Sequence, residues 1–292
     1  MKDLGFHLPR IALLAAAAWS SLACAIDLTP GELASPRPGL NVVQVSYQQN
    51  VRGPFYVDGN EVNAQSKLAY RYLQVRVGRS FTVGDTPGLF YLELPAGSVK
   101  PGGSLAQHDD SEGLADTTLL FALWPYTDRE RDRHLAVGGY LFLPSGEYRH
   151  QQPVNLGNNR VAGALQAGYQ MGLSPRLSWM TAWDVVVYGA NDAYGPRRQR
   201  LEQRPLHTLQ TGLRYQLAPG YAVAANLIHS EGGRREVDGV SLRDRIEVDR
   251  YLLTTSADLR FGRVSLQYGR DLRTRNGFFE EDRWLLRYTL LF

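Results

Sequence analysis

The sequence has almost no cysteine, because Cys24 is the only one in 292 residues, and it has only three methionines. A single cysteine cannot form an internal disulfide bond, which excludes the small disulfide-stabilised folds common among secreted proteins. No stretch after residue 25 contains the ~18 consecutive apolar residues that a membrane-spanning helix needs. The sequence therefore excludes a helical membrane protein.

An excess of charge of one sign is also lacking. The net charge is only +3, and basic residues are interspersed with acidic ones. This distribution gives no case for nucleic-acid binding. The sequence is instead rich in glycine and tyrosine, with 29 and 16 residues, which suit turns and strands better than helices. Since 43% of the residues are hydrophobic, disorder is excluded and an all-β fold is predicted.

Residues 1–25 have the layout of an export signal. A basic beginning and an alanine-rich apolar core are followed by Ala-Cys-Ala at 23–25, the small-x-small pattern that signal peptidase cuts. We predict cleavage after Ala25, which leaves a mature chain without cysteine. The alternative is a lipoprotein acylated at Cys24, but that would require an aliphatic residue in place of Ser21.

Side chains alternate between apolar and polar along most of the remaining chain. In residues 208–217, for example, leucine, threonine and tyrosine at odd positions alternate with polar or very small side chains at even positions. A period of two residues indicates β-strands with one apolar face. Twelve strands are predicted, at 40–50, 67–78, 80–94, 115–125, 134–144, 160–173, 176–188, 205–217, 220–230, 249–261, 263–272 and 282–292.

The predicted connections are alternately short and long. The short ones lie at 78–80, 174–175, 218–220 and 262–263, with 126–133 a little longer; the long ones lie at 50–66, 95–114, 145–159, 189–204, 231–248 and 273–281. A soluble β-sandwich shares the alternation of side chains but has no reason to sort its loops by length. We therefore predict a closed antiparallel transmembrane β-barrel of about 12 strands over residues 41–292, with short periplasmic turns and long extracellular loops.

Aromatic side chains mark the predicted strand ends. Trp284, Tyr288 and Phe292 lie on one face of the last strand, which ends the chain on an aromatic residue. This pattern is typical of the signal read by the barrel-assembly machinery of the outer membrane. Trp124 is expected with other aromatic residues in the girdle at lipid headgroup level on the short-turn side.

Short motifs follow one another in a characteristic order. They are Asp27-Leu28-Thr29-Pro30-Gly31-Glu32, Phe142-Leu143-Pro144-Ser145-Gly146-Glu147-Tyr148, Asn155-Leu156-Gly157-Asn158-Asn159-Arg160, Tyr188-Gly189-Ala190-Asn191-Asp192 and Asn276-Gly277-Phe278. In this order the chain resembles the outer-membrane barrel family named for the MetA pathway of phenol degradation, a transporter family. The resemblance implies a barrel in the outer membrane of a Gram-negative cell and uptake of aromatic or other hydrophobic compounds. It implies no catalytic residue.

Catalytic and metal-binding motifs are missing from the sequence. The histidines are too widely spaced for a His-x-x-x-His pair, and there is no Gly-x-Ser-x-Gly elbow or phosphate-binding loop. His229 and Ser230 are neighbours at a predicted strand end, but neighbouring strand residues point to opposite faces. We expect no catalytic residue, no metal site and no cofactor.

The polar faces of the strands are expected to point into the barrel, because an arginine facing lipid at mid-depth would cost ~2–4 kcal/mol. We expect the arginines of the eighth, tenth and twelfth predicted strands to meet Asp258 and Asp271. These groups either pair and fill the interior or line a wet passage and set its selectivity. The predicted lumen-lining residues are Arg76, Asp184, Arg214, Asn226, Asp258, Arg260, Asp271 and Arg287.

Two segments are candidates for a plug in the lumen. Residues 26–40 form a periplasmic N-terminal segment that contains three prolines and is therefore unsuited to a strand or a helix. The loop at 95–114 is long and rich in glycine and proline. Either segment is expected to be able to fold inward and act as a gate.

The predicted function is a monomeric channel or uptake protein of the cell outer membrane, passing small solutes that the resemblance suggests are hydrophobic or aromatic. The alternatives are an outer-membrane lipid-modifying enzyme and a structural or adhesive barrel whose loops bind partners. The expected partners are outer-membrane lipid, the barrel-assembly machinery and a small-molecule solute, without nucleic acid.

Overall fold

The structure, a computed structural model, describes residues 26–29 and 31–292. The predicted export signal, residues 1–25, lies outside the described residues. The described part of the chain forms eighteen β-strands, and no helix in it is suited to crossing a membrane. In chain order the strands are β1 (Asn41–Val57), β2 (Asn60–Asn63), β3 (Ser66–Val83), β4 (Thr86–Gly103), β5 (Ser111–Leu114), β6 (Thr117–Asp128), β7 (Arg133–Leu143), β8 (Ala162–Ser174), β9 (Leu177–Tyr188), β10 (Asn191–Tyr194), β11 (Gln199–Gln203), β12 (Leu206–Ala218), β13 (Tyr221–Gly232), β14 (Arg235–Val237), β15 (Val240–Ser241), β16 (Ile246–Leu259), β17 (Gly262–Thr274) and β18 (Gly277–Leu291).

Twelve long strands form a closed antiparallel barrel. They are β1, β3, β4, β6, β7, β8, β9, β12, β13, β16, β17 and β18, and each pairs with the next one in this order. β18 pairs with β1, with Val43 opposite Leu290 and Gln49 opposite Trp284. This pairing closes the sheet and leaves no free edge along the barrel wall. The predicted fold is confirmed.

Burial in the barrel is reversed relative to a soluble protein. On β12 the side chains of Leu209 and Leu213 are 51% and 46% exposed, whereas those of Thr208 and Gln210 are fully buried. Apolar side chains on the outside suit contact with lipid, and polar side chains inside find partners across the lumen. The period of two residues is therefore the feature of the sequence that determines which way each side chain faces.

The first predicted turn, at 78–80, is wrong. β3 continues to Val83 and turns through Gly84 and Asp85 into β4. Gly78 pairs with Tyr91 within the ladder, and a Cβ atom at Gly78 would lie 2.3 Å from the Phe90 carbonyl oxygen. Glycine is needed there because two backbones approach closely, not because the chain turns.

Two predicted long loops are also shorter in the structure. Residues 95–103 continue β4, β5 adds to its edge, and β17 joins β18 through Arg275 and Asn276 alone. Pro95 and Pro101 lie outside the segments of β4 that pair with β5 and β6, where the missing N–H group is tolerated. The loop at 95–114 therefore does not fold into the lumen as a plug.

The two ends of the barrel differ. At the turn end the connections are 84–85, 129–132, 175–176, 219–220 and 260–261. At the loop end β10, β11, β14 and β15 form a separate four-stranded sheet beyond the barrel. Val154 and Leu156 pack there against Leu68 and Tyr70 of β3, which holds the connection between β7 and β8 over the opening.

Candidate functional site: the barrel interior

The N-terminal segment lies inside the barrel in its described part. The Gln210 side chain of β12 donates to the Ile26 carbonyl at 2.6 Å and accepts from the Leu28 N–H at 3.0 Å. Asn226 of β13 donates to the Leu28 carbonyl at 3.2 Å. Backbone groups that no strand ladder satisfies are thus bound by amide side chains of the barrel wall.

The same segment is also held near the turn end. The indole N–H of Trp124 donates to the Leu33 carbonyl at 2.8 Å, and Arg129 in the β6–β7 turn donates to the Ser35 carbonyl at 3.0 Å. Trp124 is only 4% exposed and packs in one apolar cluster with Leu28 and Leu33. Its expected place in the outer aromatic girdle is therefore wrong, because its side chain points into the lumen.

A tight turn orients Glu32 towards the barrel wall. The Thr29 N–H donates to the Glu32 carboxylate at 2.7 Å, and the Glu32 N–H donates to the Thr29 carbonyl at 2.9 Å. The carboxylate then reaches Arg287 of β18 at 3.0 Å and Arg76 of β3 at 3.6 Å. The segment therefore carries a negative charge to two arginines of the lumen.

Asp27 provides the second ionic anchor. Its carboxylate pairs with Arg283 of β18, and the two side chains are 10% and 7% exposed. Arg76 is held further by Glu93 of β4 at 2.8 Å and lies over the Tyr91 ring at 4.0 Å. In these pairs the arginines belong to strands of the wall and the two acids belong to the N-terminal segment.

A separate charged network lies nearer the loop end. Glu280 of β18 accepts hydrogen bonds from Asn50 at 2.8 Å and Arg52 at 3.0 Å, both on β1. Arg250 of β16 binds Asp271 at 2.8 Å and Glu280 at 3.5 Å. The network adjoins the N-terminal segment, because Asp27 acts electrostatically on Arg250. It links the first strand to the last and contributes to closure of the barrel.

The N-terminal segment separates two cavities. The outer cavity, about 270 Å³, lies on the side of the loop end and reaches Asp116 and Arg160. The inner cavity, about 450 Å³, lies on the side of the turn end and reaches Leu259 and Leu291. Thr29 and Glu32 line both. The segment is therefore the partition between the two halves of the lumen.

The wall of the outer cavity is largely apolar. Small and aromatic side chains of β4 and β6 to β9 face it, and they are the inward side chains of their strands. The set comprises Leu89, Tyr91, Leu120, Ala122, Ala136, Tyr140, Phe142, Ala162 and Val186. Charged groups lie at its floor, where acids of the segment meet charged side chains of β3, β4 and β18, and at its roof.

The roof is formed by connections at the loop end. Asp116 accepts hydrogen bonds from the Gly146 N–H at 3.1 Å and from Asn158, whose N–H and side chain lie at 2.9 and 2.8 Å. Burial raises the pKa of Asp116 above its ordinary value even though these hydrogen bonds lower it. Arg160 lies over the Tyr188 ring at 4.6 Å, and burial lowers the pKa of Arg160 to about 10.

Most of the predicted lumen residues lie in the interior. Asp184, Asn226 and Asp271 are buried there, Arg76 and Arg287 bind Glu32, and Arg214 is half-buried beside the inner cavity. Of the expected grouping, Arg214 and Asp258 lie together beside the inner cavity, whereas Arg287 binds Glu32 and Asp271 binds Arg250.

Two of the predicted residues lie at the rim of the turn end. Asp258 binds Arg263 at 2.5 Å and is half exposed. Arg260 lies in the turn between β16 and β17, over the Phe261 ring at 5.1 Å, and does not line the lumen. Because β16 ends at Leu259, the alternation of side chains does not continue to Arg260. The inward direction predicted for Arg260 is therefore wrong.

The residues predicted as an assembly signal lie on the outer surface of β18. Trp284, Tyr288 and Phe292 are 47%, 40% and 61% exposed. Their role in assembly remains a prediction.

The sequence analysis did not identify the residues that join the N-terminal segment to the wall. Asp27 and Glu32 are the acids of the segment, and Trp124 and Gln210 are wall residues that form hydrogen bonds with its backbone. One feature of the sequence could have indicated these pairs. Arginines buried in a lumen need acidic partners, and Asp27 and Glu32 are acids within the proline-rich N-terminal segment.

His229 forms an ion pair that the sequence did not indicate. Its Nδ1 atom lies 2.6 Å from Asp249 on the outer face of β13 and β16. The neighbouring Ser230 points inward and bonds to Thr208 at 3.1 Å. The pair therefore has no adjacent serine nucleophile. Within residues 26–29 and 31–292, no three His, Cys, Asp or Glu side chains are grouped to bind a metal ion.

A family model described as "Putative MetA-pathway of phenol degradation" matches residues 43–286. The chain belongs to this family. No curated protein sequence matches it. Together with the closed barrel, the family places the protein in the outer membrane, with the turn end towards the periplasm and the loop end outside.

Solved structures agree with the barrel. The crystal structure of an outer membrane channel from Pseudomonas putida F1 is 29% identical, has a TM-score of 0.88, and covers 91% of this chain and 100% of that one. The β domain of the Bordetella autotransporter BrkA shares the fold at 11% identity and a TM-score of 0.51, covering 87% of this chain and 100% of its own. The translocator domain of NalP from Neisseria meningitidis does so at 11% identity and 0.51, covering 89% and 90%.

Proposed function

We propose that the protein is a gated outer-membrane channel for small hydrophobic or aromatic solutes and that its N-terminal segment is the gate. The observation that carries the proposal is the segment's position between the outer and inner cavities, where Thr29 and Glu32 line both. The similar structure from Pseudomonas putida F1 is an outer membrane channel, which supports the same general role.

The segment is the part of the lumen that can move without opening the barrel. The strands are joined by continuous ladders, whereas the segment is held by side chains, mainly Gln210, Trp124 and the arginines facing Asp27 and Glu32. Local release of such a segment costs less free energy than unfolding of a closed sheet. Release would join the two cavities into one passage.

The apolar wall of the outer cavity supports the solute class. Leu120, Tyr140, Phe142 and Val186 present apolar surface to a solute there. A neutral aromatic compound gains from leaving water at such a surface, whereas a sugar would exchange hydrogen bonds to water for contact with these apolar side chains.

The proposal also covers the oligomeric state and the assembly of the channel. We propose that the barrel works as a monomer, since apolar side chains such as Val75, Leu165 and Leu253 face outward from strands around the barrel and suit lipid. We also propose that the aromatic row of β18 is read during assembly and that the protein carries out no chemical reaction.

Fluorescence of Trp124 tests binding of the solute, because this side chain lines both cavities. Refolded protein is titrated with benzyl alcohol and, separately, with arabinose, and the Trp124→Phe variant identifies the signal of that indole. We expect a saturable change with benzyl alcohol that the variant loses and no change with arabinose. Equal responses to both solutes, or a response unaffected by Trp124→Phe, would contradict the proposed solute class.

A further inference from the structure

Asp184 is a buried acid that no described residue neutralises. It lies on β9 with its side chain turned into the lumen and fully buried. It forms no ion pair with residues 26–29 or 31–292, and the polar side chains that act on its carboxylate, Gln166 and Gln210, are uncharged amides. Asp27, itself an acid, is the other charged side chain close enough to act on it. A carboxylate in such a place requires a cation or strong donors.

Ile26 lies beside this acid. Gln166 is directly opposite Asp184 on β8, and Gln210 is two residues along β12 from Thr208, which is opposite Asp184 on the other side. Both amide side chains donate to the Ile26 carbonyl, at 3.3 and 2.6 Å. The backbone of Ile26 is therefore bound by the two side chains that flank the buried carboxylate.

The sequence predicts cleavage after Ala25, which gives Ile26 a free amino terminus. An α-amino group has a pKa of about 7.7–8.0 and is largely a cation at neutral pH. We propose that Asp184 is a buried binding site for the α-ammonium group of Ile26, which exists only after the export signal has been removed. Asp27 differs from Asp184 in that it already has a cationic partner, Arg283.

This ion pair would make the position of the segment depend on processing. In the uncleaved chain the nitrogen of Ile26 is an uncharged amide, so Asp184 has no cationic partner. In the cleaved chain the ammonium anchors the innermost end of the segment, beyond Asp27 and Glu32. The inference rests on the proposed gate only for its effect on opening; the ion pair itself is measured without transport.

Amine acylation of the full mature protein tests the ion pair. Lys67 and Lys100 are the lysines after residue 25; both are exposed and serve as internal references. Protein purified from the outer membrane is treated with an acetyl ester at neutral pH, and each site is quantified by mass spectrometry. We expect Ile26 as the first residue and a slow reaction at its amine relative to the two lysines. Asp184→Asn should raise that rate at least about tenfold, as a fall of one unit in the amine pKa would do.

Two further variants complete the test. Asp258→Asn removes an acid at the rim that binds Arg263, and it should leave the rate of acylation unchanged. An alanine inserted before Ile26 shifts the amine by about 3.8 Å without altering Asp184, and it should expose the amine. The heat-dependent gel mobility of a closed barrel shows that each variant is folded. A first residue other than Ile26, equal rates in wild type and Asp184→Asn, or continued protection after the insertion would each overturn the proposal.

Discussion

At the residue scale, the interior is organised by pairs of buried charges. Removing one member of such a pair costs about 3–5 kcal/mol because the other member is left buried and uncompensated. Asp27 and Glu32 pair with arginines that belong to the wall, so breaking these pairs acts on the segment. Glu280 and Asp271 pair entirely within the wall, so breaking those acts on the barrel.

Asp27→Asn should release the segment and raise the open probability of the channel. The substitution keeps the volume of the side chain but removes the charge by which Asp27 binds Arg283. Single-channel recording in planar bilayers measures the effect. The double variant Asp27→Arg, Arg283→Asp restores an ion pair and should return the open probability towards wild type. Asp192→Asn, in an exposed pair with Arg200, serves as control. An open probability unchanged by Asp27→Asn would show that this pair does not hold the segment.

Glu280→Gln should lower the stability of the barrel. Glu280 is 1% exposed and accepts from Asn50 and Arg52 across the junction of β18 and β1. Loss of its charge leaves Arg52 and Arg250 with fewer anions, and we expect a loss of about 3–5 kcal/mol in the free energy of unfolding. Urea unfolding followed by gel mobility measures it, with the exposed Glu202→Gln as control. Equal unfolding midpoints in the two variants would contradict a role in closure.

Alternation predicted the direction of most single side chains but not their partners. Asp184 and Asn226 point inward as the period of two residues requires. The partners of Arg287 and Arg76 come from residue 32, more than forty positions away from either, and no local pattern links them. Trp124 was misplaced because β6 is apolar on both faces, so that alternation gave no direction there.

At the scale of the strands, the number of barrel strands followed from the sequence and their ends did not. Glycine predicted the strand ends poorly, because it occurs in a sheet both at turns and where two backbones approach closely. Gly84 has a φ of 57° and forms a true turn, whereas Gly78 and Gly97 lie inside ladders where a neighbouring backbone approaches. These two uses look alike in the sequence, and the true turn was consequently displaced from 84–85 to 78–80.

The stability contributed by the β6–β7 turn is expected to depend on pH. Asp132 accepts from Ser178 of β9 at 2.5 Å and from Gln170 of β8 at 2.8 Å. Burial raises the pKa of Asp132, but hydrogen bonds from His134, Ser178 and Gln170 lower it further, so the net pKa lies below the ordinary value. The stability it contributes is therefore present above the ordinary aspartate pKa and is lost as the pH falls through the lowered value.

Unfolding midpoints measured between pH 7 and about pH 2, which spans ordinary aspartate pKa values, check this. We expect wild type to lose stability towards acid more steeply than Asp132→Asn, which lacks the carboxyl group at this position. Parallel curves for the two proteins would refute the assignment.

At the scale of the whole molecule, the closed barrel and the inserted N-terminal segment have different roles. The barrel provides a wall that is apolar towards lipid and largely apolar around the outer cavity, while the segment separates that cavity from the inner one. The sequence predicted the barrel because every strand repeats the same pattern. It could name the segment only as one of two candidates for a plug, since proline excludes regular structure without saying where the chain lies.

The most direct test is to lock the segment in place reversibly. A Cβ atom at Gly168 of β8 would lie 2.5 Å from a side-chain methyl of Leu33, which makes Leu33→Cys, Gly168→Cys a close pair in a mature chain without cysteine. The pair is introduced together with Asp27→Asn and Glu32→Gln, which release the segment, and conductance is recorded before and after reduction. The single cysteines are the controls. Our account predicts silence when the disulfide is formed and discrete conductance steps when it is reduced. The same conductance in both states would contradict the claim that the segment closes the lumen.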